Sequence, residues 1–151
     1  MNRVRCAMAA AGLLWVTACA GERPTDLGMR DGKLKPCPDS PNCVSSLSPQ
    51  DGHIHMIAPL SFSGDPDTAL ARLKLVLGRR KDATVVEEKS DYLRVEFRTS
   101  LGFVDDAEFL LDRRPRLIQL RSASRLGYSD LGKNRSRVEE IRKQLAASLK
   151  P

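Results

Sequence analysis

Apolar and polar residues alternate with a period of two in the middle of this chain, and that pattern constrains the fold more than any other feature. Residues 92–98 place Leu93, Val95 and Phe97 on one face of a strand and Tyr92, Arg94, Glu96 and Arg98 on the other. Residues 84–87 are β-prone and precede the turn-like Lys89-Ser90-Asp91, which predicts a hairpin. Residues 103–111 and 116–122 repeat the arrangement around Asp112-Arg113-Arg114-Pro115. A meander of about four antiparallel strands with one polar face follows.

Two amphipathic helices flank the meander. Asp65-Pro66 supplies a capping side chain and a first-turn proline, Ala69, Leu70, Leu73, Val76 and Leu77 share one face, and Gly78 ends the pattern. The second helix is expected to begin near Asn134 or Ser136, where Ser136-x-x-Glu139 fits a capping box, with Val138, Ile141, Leu145 and Leu149 along its stripe. A short strand is expected at residues 54–57. Laying both helices on one face gives a two-layer α+β domain with a sheet of four to five strands. A chain of 151 residues has room for one such core, expected over residues 36–151.

The chain opens with Arg3 and Arg5, an apolar run over residues 7–16, and Thr17-Ala18 before Cys19. This is the anatomy of a signal peptide over residues 1–18, and Val16-Thr17-Ala18-Cys19 is similar to a lipobox. The expectation is a lipoprotein whose mature form begins at a lipidated Cys19, acylated with palmitate-like chains and membrane-bound through them. Ala20 in place of an aspartate points to the outer membrane, facing the periplasm. A plain secretory signal with a chance cysteine is the rival reading. Residues 20–35 carry Gly21, Pro24, Gly28 and Gly32 without apolar periodicity and read, with Cys19, as a flexible tether. Removing Arg3 and Arg5 lowers the formal charge from +6 to +4, and the basic residues are mixed with acids. Nucleic acid is therefore not an expected partner.

In an exported domain Cys37 and Cys43 are left as a pair, and a local disulfide is the favoured reading. Metal binding by Cys37, Cys43, His53 and His55 is the alternative, although five residues between the cysteines exceed the usual zinc spacing. The expectation is no metal and no cofactor.

Lys35-Pro36-Cys37-Pro38-Asp39-Ser40-Pro41-Asn42-Cys43-Val44-Ser45-Ser46 resembles the opening signature of the family called domain of unknown function 1499. Residues 92–98, 103–109 and 121–132 resemble later parts of its pattern in order, so the resemblance spans residues 34–149. It implies a secreted or lipid-anchored envelope protein and brings no reaction or catalytic residue with it.

The most site-like stretch is residues 121–135, where a strand runs through Arg, Ser and Gly into a helix start. Arg98, Arg121, Ser122, Arg125, Tyr128, Asp130, Asn134 and Arg135 are the candidate ligand-binding residues, with Ser124 beside them. Free amides at a helix start and planar guanidinium groups suit an anion. The competing reading pairs Arg98, Arg121 and Arg125 with Asp105, Asp106, Glu108 or Asp130 in a structural network. Catalysis by Asp105, Asp106, Ser122 or Ser124 is a further alternative, but Asp105 and Asp106 should face opposite ways on a strand, and no G-x-S-x-G elbow is present. The expected function is a non-enzymatic, lipid-anchored envelope module that binds an anionic small molecule, lipid head or envelope protein. An envelope hydrolase and a structural assembly partner are the rivals.

Overall fold

The computed structural model describes residues 20–49 and 54–149. The expected leader at residues 1–18, Cys19 with its expected lipid, and His53 lie outside the described residues.

The meander forms as the alternation requires. Strands β3 (Ala83–Lys89), β4 (Tyr92–Arg98), β5 (Val104–Asp112) and β6 (Leu117–Ser124) pair antiparallel in sequence order. Two short strands, β1 (Cys43–Ser45) and β2 (Leu60–Ser61), both pair with the free edge of β6. The sheet therefore has six strands among the described residues, one more than the upper expectation. Residues 54–57 contribute only an isolated bridge from Met56 to Ser45 instead of the expected strand. Its hydrogen bonds run to Ser45 of β1, through the His55 carbonyl and the Ile57 amide.

Helix α1 (Pro66–Gly78) starts as read: the Asp65 carboxylate accepts from the Thr68 amide at 2.7 Å and Pro66 takes the first turn. Helix α2 (Lys133–Ser148) starts one residue before Asn134, the earlier of the two expected positions. The Ser136 amide already donates to the Gly132 carbonyl, so the Ser136–Glu139 pair falls inside the helix and caps nothing. Asp130 does the capping, through the amides of Gly132 and Asn134.

Both helices lie on one face of the sheet. Leu93, Val95, Phe97, Ala107, Phe109, Leu111, Ile118 and Leu120 point at Leu70, Leu73, Leu77, Val138, Ile141 and Leu145 in one apolar core. This is the two-layer α+β arrangement, with the two helices side by side. The Arg72 guanidinium donates to the Ser148 carbonyl across them.

The opposite face is polar, as the alternation predicts, yet it is buried. Residues 20–35, expected as a flexible tether, lie over it as a strap. The Gly28 amide donates to Glu108 at 2.7 Å, Arg23 pairs with Glu96, and Leu34 packs on Tyr92 and Leu110. Carboxylates facing outward from the sheet give an aperiodic segment its partners. A disulfide joins Cys37 to Cys43 immediately after the strap and fastens its end to β1. With both thiols consumed, the four-ligand metal reading is overturned, and among the described residues no group of three or more His, Cys, Asp or Glu could hold a metal ion.

Candidate functional site

The polar residues of the sheet separate into two groups because neighbouring positions on a strand face opposite ways. On the strap side Glu96 and Asp106 are direct cross-strand partners, an arrangement of two carboxylates that would repel. Arg125 resolves it, donating to Asp106 from Nε at 2.6 Å and to Glu96 from Nη2 at 2.5 Å. Asp106 and Glu96 in turn hold the Arg125 guanidinium above its ordinary value. Burial pushes the Glu96 carboxyl up, but hydrogen bonds from Arg23 and Arg125 outweigh it and leave the group below the ordinary carboxylate value.

A carboxyl lowered in the folded state contributes stability above its unfolded value and loses it as pH falls through the folded value. Acidification should therefore loosen the Arg23 end of the strap. Pepsin cleavage between residues 20 and 35, followed by mass spectrometry, is expected to rise as the pH drops from about 5 to about 2. A strap that stays protected until the whole domain unfolds would contradict this.

Deeper under the strap, Glu108 is fully buried and accepts hydrogen bonds from the Tyr92 hydroxyl at 2.9 Å and the Gly28 amide. Burial and the charge of Glu108 raise the Tyr92 phenol far above its ordinary value, which keeps it a donor. Arg121 stands across the ladder from Glu108 at 3.8 Å, and burial lowers its guanidinium despite that partner. Arg94 Nε, Glu108 Oε2 and Arg121 Nε have no hydrogen-bond partner among the described residues.

On the helix side a second network runs through Asp105. One carboxylate oxygen accepts from Ser124 Oγ at 2.5 Å and the other from Arg137 at 2.7 Å. The Arg137 guanidinium lies over the Phe97 ring at 4.6 Å. Asn134, fully buried, accepts from Ser122 and Arg137 and donates to Ser124, Asp130 and the Asn42 carbonyl. Asp105 and Asp106 thus face opposite sides, as expected of neighbours on β5.

This network floors an open cleft of about 620 Å³ between the β4–β5 turn, the β6–α2 loop and the start of α2. Arg80, Arg98, Lys133 and Arg137 supply its cations. Arg80 is paired with Asp82 and Glu140, and Arg137 with Asp105. Arg98 and Lys133 have no carboxylate partner among the described residues; the Arg98 guanidinium donates only to the Gly102 carbonyl among them. Leu101, Phe103, Leu126 and Leu131 line the cleft with exposed apolar surface. Leu131 is 92% exposed and held at φ +54°, in the left-handed region that disfavours a non-glycine residue.

The eight residues expected to share one site are dispersed. Arg98 borders the cleft, and Asp130 lines it while capping α2. Asn134 and Ser122 are buried beneath it, and Tyr128 is exposed on the adjoining loop. Arg121 and Arg125 lie on the strap side with carboxylate partners. Arg135 donates to the Met56 and Ile54 carbonyls. The helix amides expected to receive an anion are taken by Asp130, whose carboxylate already occupies that position. Lys133, Arg137, Arg80 and the apolar rim were missed. Arg137 could have been noticed as an arginine between Asn134 and Val138 on the buried stripe, and the rim as apolar residues inside turn-rich loops.

Residues 33–145 match the model of a family described as a protein of unknown function, DUF1499. No curated protein matches the chain.

Proposed function

The chain belongs to the DUF1499 family, whose description assigns no activity, and from the chain's own geometry we propose a lipid-anchored envelope protein that binds an anionic ligand in the cleft between the β4–β5 turn and the β6–α2 loop. The observation that carries this reading is the pair of cations without a carboxylate partner, Arg98 and Lys133, in an open cleft whose other cations are ion-paired and whose one carboxylate without a cation partner, Asp130, is held by the amides of Gly132 and Asn134. An anion entering there gains charge-assisted hydrogen bonds without displacing an internal partner. The leader and the lipobox-like residues ending at Cys19 support attachment to a membrane, on the periplasmic side of the envelope.

Binding is favoured over hydrolysis because the groups that would do chemistry are engaged with one another. Both Asp105 oxygens are occupied, and Ser124 Oγ donates to Asp105 while it accepts from Asn134. His55 faces the Cys43 carbonyl, away from the cleft.

Calorimetric titration of the purified full-length protein in non-ionic detergent tests the reading, with inorganic phosphate and a short-chain phosphatidylglycerol as probes. At least one probe is expected to bind, and the combined Arg98→Gln and Lys133→Gln variant to bind it at least about tenfold more weakly, since a charge-assisted contact is worth about 1.5–3 kcal/mol. Arg114→Gln, in the β5–β6 turn, should bind like the parent. No binding by the parent, or equal loss in Arg114→Gln, would sink the proposal.

A further inference from the structure

We propose that the rim of the cleft is a membrane-docking surface, in which Leu101 and Phe103 of the β4–β5 turn and Leu126, Tyr128 and Leu131 of the β6–α2 loop enter the headgroup region of an anionic bilayer. The proposal deepens the binding reading, on which it rests for the chemistry of the ligand, and names the lipid surface as the source of the anion.

Ten large apolar side chains are exposed among the described residues, and five of them belong to these two loops. Leu101 is 75% and Tyr128 76% exposed. Apolar surface concentrated in this way, with a tyrosine whose ring is apolar and whose hydroxyl stays wet, suits a membrane interface. The loops present it firmly. The Arg125 amide donates to the Val104 carbonyl and ties the foot of the β6–α2 loop to the start of β5, and Asn42 donates to the Gly127 carbonyl. Asp130 fixes the loop end to α2.

Charge points the same way. Arg98 and Lys133, both lacking a carboxylate partner, line the cleft that the rim surrounds, so the two signals a stable membrane contact needs, apolar insertion and cationic attraction, meet on one side of the molecule.

The path of the chain supplies an independent argument. Gly21 packs against the base of the β6–α2 loop so closely that a Cβ there would stand 2.9 Å from Arg125 Cβ and 3.0 Å from Leu126 Cγ. Cys19 is two residues before it. An acyl chain on Cys19 is therefore attached within about 7 Å of chain from Gly21, next to the apolar rim and not at a remote face. Anchor and rim act on the same side of the domain, and the cleft is seated on the headgroups.

Bromine quenching reads this directly. Leu101→Trp, Leu131→Trp and, as a control on the exposed side of α1, Leu75→Trp are introduced into the full chain, which is incorporated into vesicles of equal parts phosphatidylglycerol and phosphatidylethanolamine with brominated acyl chains. Trp15, the one natural tryptophan, lies in the expected leader and is replaced by Phe in every chain, so that the introduced tryptophan is the sole emitter. Emission from positions 101 and 131 is expected to fall about twofold or more, with little change at position 75, because interfacial side chains reach roughly 5–10 Å into the lipid. Equal quenching at the three positions, or none at 101 and 131, overturns the proposal. Intact mass and the Cys19→Ser chain separate the readings. Quenching at 131 that persists without acylation leaves docking standing alone. Acyl mass in the parent with Trp at 131 unquenched removes docking and leaves anchoring intact. The titration of the Arg98 and Lys133 variant reads the cleft separately, so binding and docking can each fail alone.

Discussion

Asp105→Ala is expected to destabilise the domain by about 3–5 kcal/mol, read as a drop in the urea midpoint, because it leaves the buried Arg137 guanidinium without its counter-charge. Ser124 and Arg137 both lose an acceptor in the same step. The stacking of Arg137 on Phe97 is insufficient to compensate a desolvated cation. Combining Asp105→Ala with Arg137→Met should recover most of the loss, since the methionine fills similar space on the Phe97 ring and carries no charge. If the single variant costs less than about 1 kcal/mol, water reaches Arg137 from the cleft and the floor is wetter than its burial implies.

Glu108→Ala is expected to cost a similar 3–5 kcal/mol and, in addition, to free the strap. The Tyr92 hydroxyl and the Gly28 amide lose a shared acceptor, and Arg121 is left charged and enclosed. Limited proteolysis at neutral pH should then cut between residues 20 and 35 under conditions where the parent is untouched. The paired variant Glu108→Leu with Arg121→Met separates the effects. Replacing both charges by apolar groups should restore much of the global stability, while Gly28 still lacks its acceptor and the strap stays cleavable. A strap that remains protected in Glu108→Ala would mean that Arg23, Leu34 and the disulfide suffice to hold it.

The central architecture was legible because it is written in local periodicities. The alternation in residues 92–98 assigns each side chain of β4 to its face, and Asp65-Pro66 and Gly78 bound α1 where they should. What could not be read depends on partners far away in the chain. Nothing about Gly28 announces that its amide will meet a carboxylate 80 residues later, so the strap looked like a linker. The family match likewise starts at residue 33, downstream of most of the strap. The start of α2 near Asn134 was legible, but its cap was not: Asp130, upstream of the Ser136–Glu139 pattern, receives the amides of Gly132 and Asn134.

The candidate site was only partly legible, and for a different reason. Grouping residues 121–135 as one site ignored the alternation that had served so well upstream: Arg121 and Arg125 share a face with Glu108 and Asp106, whereas Ser122 and Ser124 point to the helices. The pairing of Arg121 and Arg125 with carboxylates matches the structural-network alternative for those two residues. The cleft, by contrast, draws on the α1–β3 loop, the ends of β4, β5 and β6, the two loops and α2, and no single segment of sequence contains it.

The strap also has a mechanical meaning. Tension applied at Ala20 meets its fastenings in series: Gly21 against Leu126, then Arg23 on Glu96, then Gly28 on Glu108. Fastenings in series open one at a time, each at low force, whereas the ladder hydrogen bonds of the sheet share a load. The Cys37–Cys43 bond is a covalent stop at the far end. A pull through an anchor at Cys19 would thus unzip the strap and then halt, leaving the core folded at the end of a leash roughly 50 Å long.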